Sequence, residues 1–198
     1  MIARFVRSAA LVVAFCIALP ASAESPVAAP ASARLTVEQA REAQALFGFD
    51  AAIPTIIEQA FKEQPQYRTM TPAQRDCILG LATPAFYGLF DDAFIEMFGD
   101  SGALEGWRAF SLTPGGRIFL DGMRKSLQSK LSGGPEYDLG GTFQALSDAE
   151  KADVVGFMGS PASKVMQKGF PDVGFPPSLE KTLNARALQE CGVSLDPL

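Results

Sequence analysis

The sequence predicts an all-α protein, a single compact bundle of seven to nine short helices. Three observations carry that prediction. Helix-start signatures recur along the chain, in which a Ser or Thr precedes a Pro or stands three residues before a Glu or Gln. The apolar residues between these signatures recur at helical spacing. No stretch alternates apolar and polar residues cleanly enough to read as a strand.

The elements follow in order. Residues 1–23 read as a cleaved export signal. Arg4 and Arg7 supply a positive start, residues 9–19 an apolar run too short to span a membrane comfortably, and Ala21-Ser22-Ala23 a small-x-small cleavage site. Cys16 lies inside this leader, and the bulky Phe15 before it argues against lipid attachment. The mature chain then begins at Glu24, and residues 24–34, rich in Pro, Ala and Ser, read as a disordered lead-in. Residues 35–198 form the helical domain.

Thr36 and Gln39 make a capping box before Val37, Ala40, Ala43 and Phe47, with Gly48 as a stop. Asp50 is placed to cap a second helix with the apolar face Ile53, Ile56, Ile57, Ala60 and Phe61, and Pro54 falls in its first turn. Thr71-Pro72 starts a third helix carrying Cys77, Ile78 and Leu81. Thr83-Pro84, Thr113-Pro114 and Ser160-Pro161 repeat the start signal. Ser147 and Glu150 form a further capping box, and the last helix covers residues 178–190. One interruption, Ser132-Gly133-Gly134-Pro135 through Gly140-Gly141, reads as a glycine-rich loop parting two helical groups.

Charge and composition exclude several classes of function. Seventeen basic against twenty-two acidic residues give a net charge of −5, and removing the basic leader makes the balance more negative. Such a surface does not suit nucleic acid or a polybasic membrane anchor. The chain has no histidine, which removes every His-based triad, dyad and imidazole zinc site. Neither a metal nor a cofactor is expected. Outside the leader two cysteines remain, Cys77 and Cys191, and in an oxidising compartment an even pair is most simply a disulfide. It closes a long loop, worth about 4–5 kcal/mol on chain-entropy grounds, and the rival reading is a pair of buried free thiols.

Two segments match at an offset of 47 residues, Phe110-Ser111-Leu112-Thr113-Pro114-Gly115-Gly116-Arg117 and Phe157-Met158-Gly159-Ser160-Pro161-Ala162-Ser163-Lys164. Each describes a helix-turn-helix corner. Phe ends one helix facing inward, a hydroxyl and a Pro start the next, and small residues permit close approach. The second copy, with its run-up from Leu146-Ser147-Asp148-Ala149-Glu150, resembles a secreted bacterial family known as domain of unknown function 2059. The resemblance covers residues 146–170 well and 104–127 loosely. It implies an exported helical protein and carries over no catalytic residue.

Two features are candidate sites. Phe86, Phe90, Phe94 and Phe98 recur every fourth residue, a stripe spanning roughly 120° of a helix. The stripe is either a core face or, with Trp107, the wall of a cavity for an apolar ligand. Thr113, Gly115, Gly116 and Arg117 combine free amides at a helix start with a guanidinium, a pattern that holds an anion. The competing reading is structural capping, with a carboxylate such as Asp91 or Asp121 taking Arg117. Gly99-Asp100-Ser101-Gly102 and Ser178-Leu179-Glu180-Lys181 resemble protease and penicillin-binding motifs, but the partner residues of both are missing. Asp92 and Glu96 share a helix face but offer too few oxygens for calcium.

The sequence therefore points to an exported, non-catalytic helical protein of the periplasm that binds or assists an envelope component. It keeps no stable membrane anchor once the signal is cut. The alternative is a carrier of a small apolar or lipidic molecule in a Phe-lined cavity, and a carboxylate-based hydrolase ranks last.

Overall fold

The computed structural model of the chain describes residues 33–62, 64–167 and 176–195. The export signal read on residues 1–23, and residues 24–32 of the lead-in, lie outside the described residues. Regular structure among the described residues is helical: α1 (Val37–Phe47), α2 (Phe49–Lys62), α3 (Pro65–Thr69), α4 (Pro72–Phe98), α5 (Ser101–Leu112), α6 (Pro114–Leu131), α7 (Leu139–Gln144), α8 (Asp148–Met158), α9 (Lys164–Gln167) and α10 (Pro177–Cys191). The single exception is an isolated bridge between Arg34 and Asp100, reinforced where the Ser101 amide donates to the Ala33 carbonyl at 3.0 Å. The last two residues of the expected lead-in are thus tied down.

Local chemistry places most helix ends. Thr36 with Gln39, Thr71 with Gln74 and Ser147 with Glu150 all form complete capping boxes. Gly48 ends α1 in the left-handed conformation (φ 81°), where a Cβ would be strained. Thr113 closes α5 and opens α6, its hydroxyl accepting from the Gly116 amide. The last helix lies within a residue of its expected bounds.

Three expectations change. First, α2 begins at Phe49, so Asp50 is not its cap but a first-turn acid suited to the helix dipole. Pro54 lies inside this helix and has no N–H for the Asp50 carbonyl. The Tyr87 hydroxyl donates to that carbonyl instead, at 3.4 Å. Second, Thr83-Pro84 starts no helix, because α4 runs through it. Pro84 leaves the carbonyl of solvent-exposed Gly80 without its helical donor, and the Thr83 hydroxyl turns back to the Leu79 carbonyl at 2.7 Å. An interior proline costs about 3 kcal/mol. Burying four phenylalanines on the same helix contributes about 1.5–3 kcal/mol each and outweighs it. Third, the glycine-rich segment is not all loop, since Asp138 caps Gly141 at 2.7 Å and begins α7. The short α3, α7 and α9 bring the described helices to ten, beyond the seven to nine expected.

Two long helices organise the packing. α4 is an axis against which α1, α2 and α10 lie, and α6 is a second axis carrying α5, α7 and α8. α2 touches both and joins the groups. Cys77 near the start of α4 and Cys191 at the end of α10 form a disulfide, their Cα atoms 5.8 Å apart across 114 positions of sequence.

Candidate functional site

The stripe on α4 is the centre of the core. Phe86, Phe90, Phe94 and Phe98 are no more than 5% exposed. Phe49 on α2 lies against Phe90 and Phe94, with ring centroids 5.8 and 5.3 Å away. Phe47 on α1 lies against Phe94, Phe98 and Trp107 at 6.3, 6.2 and 4.8 Å. Rings facing a ligand-sized cavity would keep part of their surface uncovered, and these do not. The stripe is thus packed into the core, the first of the two readings its spacing allows. The sequence left Phe47 and Phe49 unconnected to the stripe because they come from other helices.

The expected anion site is also filled from within. The Gly116 amide donates to the Thr113 hydroxyl at 3.0 Å, and the Gly115 amide donates to the Asp153 carboxylate on α8, also at 3.0 Å. An acid at a helix start gains from the dipole, so Asp153 occupies the place an external anion would take. Arg117 is exposed and makes no ion pair among the described residues. The carboxylates expected to hold it go elsewhere, Asp91 to Arg41 and Asp121 to Lys125 at 2.8 Å.

The two corners brace each other. Asp153, from the helix before the second corner, reaches Gly115 in the first. Trp107, from the helix before the first corner, donates its indole N–H to the Ala162 carbonyl in the second, at 3.0 Å. Gly115 and Ala162 are equivalent positions of the 47-residue echo, and so are Gly106 and Asp153. A Cβ added to Gly106 would lie 2.5 Å from that of Ala162. One added to Gly115 would lie 2.8 Å from that of Asp153 and 2.2 Å from the Glu150 carbonyl oxygen. Contacts exchanged in this way follow a local two-fold relation. Phe110 and Phe157, equivalent in the echo, stack with centroids 4.0 Å apart and planes 5° from parallel. Trp107 meets both edge-on, at 6.0 and 4.5 Å. Repetition in the sequence marked the corners but not their mutual contact.

A buried polar cluster escaped the sequence reading. Asp91 on α4 is 4% exposed. It accepts from Arg41 Nη2 at 3.1 Å and Nε at 3.2 Å, and from Gln44 Nε2 at 2.8 Å. Arg41 and Gln44 stand three residues apart on α1, which puts both on the face toward α4. The pattern offers a fixed salt link between two helices rather than a reactive group, because each carboxylate oxygen is engaged. Among the described residues no three His, Cys, Asp or Glu side chains gather as a metal ion would need.

Fold and site together define a disulfide-linked all-α bundle with an internally repeated corner. No protein-family model, no curated protein and no solved structure matches the chain.

Proposed function

We propose that the chain is an exported, non-catalytic helical protein of the bacterial periplasm that binds or assists another component of the cell envelope. The observation that supports this most is the Cys77–Cys191 bond, a cross-link suited to an oxidising space. The leader-like residues 1–23 and the resemblance of residues 146–170 to an exported family point the same way. The carrier reading receives no support from the phenylalanine stripe, which is covered by the protein's own rings. The anion-binding reading draws no support from the Gly115 amide, which Asp153 already takes.

The test is fractionation followed by intact mass and in-cell cross-linking. A periplasmic polypeptide beginning at Glu24, two hydrogens lighter before reduction than after, and cross-linked to the same envelope component in repeated preparations, is the expected result. An uncut chain in the cytosol overturns export. A co-purified lipid puts the carrier reading ahead of this one.

A further inference from the structure

α10 lies along α4, but it sinks few of its side chains into the bundle. Only Leu183 and Ala187 of the helix are buried, with Val193 and Leu195 just beyond it. Its principal neighbour among the described helices is α4. Its N-cap position, Pro176, gives no side-chain hydrogen bond. Among the described residues its polar ties are internal: Arg186 pairs with Glu190 at 2.7 Å, and the Leu195 amide donates to Asn184 at 2.9 Å. The aromatic centre, by contrast, is built by α1, α2, α4, α5 and α8 and takes no ring from α10. Cys77 and Cys191 are both half-buried, so neither end of the bond is sealed in the core.

We infer that Cys77–Cys191 is a redox-operated clasp that holds α10 on α4, and that its reduction frees this helix while the remaining bundle stays folded. The reductant is a dithiol, either a protein with a Cys-x-x-Cys pair or a small molecule. One thiolate of the dithiol attacks one sulfur of the bond, forming a mixed disulfide and expelling the other sulfur as a thiolate, which takes up a proton. The second thiol of the dithiol loses its proton and displaces the remaining protein sulfur, which is protonated in turn. The dithiol leaves as a disulfide, two electrons have passed to the protein, and Cys77 and Cys191 are thiols. Segments with few buried apolar contacts open at lower free energy than the core, which is why release stays confined to α10. The inference does not depend on which envelope component the protein serves.

Hydrogen exchange read by mass spectrometry on the full protein, with and without dithiothreitol, tests it. Amides of α10 are expected to exchange at least about tenfold faster after reduction, while those of α1, α5, α6 and α8 change by less than about twofold. The Cys77→Ser/Cys191→Ser variant, without reductant, is expected to show the same pattern. Unchanged protection of α10 in the reduced protein overturns the inference, because non-covalent contacts then suffice. Acceleration of all helices together, or a serine variant without helical structure, overturns it as well, because the bond then holds the whole fold.

Discussion

A buried carboxylate requires partners, and Asp91 has them in Arg41 and Gln44. The two sides of the link are unequal. Arg41 is 62% exposed and returns to water if its partner is lost, whereas Asp91 stays where it is. Arg41→Ala therefore leaves a buried charge with one neutral donor, and a loss of about 2–4 kcal/mol is expected. Asp91→Asn keeps an acceptor for Gln44 and strands no charge, so about 1 kcal/mol is expected. Urea unfolding of both variants at neutral pH ranks them, and equal losses would contradict this account. The pairing was not legible in the sequence, because Arg41 and Asp91 are fifty positions apart and no local spacing joins them. Asp91 was a reasonable partner for Arg117 until the helices were placed.

At the scale of the helix, legibility follows the range of the interaction that decides each feature. Caps involve residues three apart, so Thr36, Thr71, Thr113 and Ser147 were readable as helix starts. Thr83-Pro84 carries the same local signal, yet burial of the stripe beyond it keeps α4 continuous. Glycines divide in the same way. Gly106 and Gly115 sit where another helix or turn approaches too closely for a Cβ, while Gly80 and Gly88 on α4 have open space around theirs. Gly106→Ala and Gly115→Ala are each expected to destabilise by about 1–3 kcal/mol. Gly80→Ala and Gly88→Ala are expected to stabilise by up to about 1 kcal/mol, since alanine loses less backbone freedom in a helix. Thermal melts of the four variants decide the matter by sign.

For the whole molecule, the all-α class and the disulfide were legible because helical period and an even cysteine pair need no knowledge of tertiary contacts. The candidate sites were not, because what covers them comes from elsewhere in the chain: Phe47 and Phe49 over the stripe, Asp153 over the helix start. Charge acts at this scale too. Hydrogen bonds from Arg108, Ser147 and Arg186 hold the carboxyls of Glu42, Glu150 and Glu190, respectively, below the usual range. The folded chain thus binds fewer protons there than the unfolded chain. Their contribution is complete above the ordinary glutamate pKa and is lost as pH falls through the lowered values. Stability measured by denaturant titration between neutral and acid pH is expected to decline on that side, and Glu42→Gln to flatten the decline. An identical acid slope in that variant would remove Glu42 from the account.

The interlocked corners have a consequence for the segment between them. Each turn finds its anchor on the opposite hairpin, and the stretch around Gly133 and Gly134 connects the two. Severed at that point, the two pieces would still be joined by sulfur and by two halves of a lock that each carry the other's key.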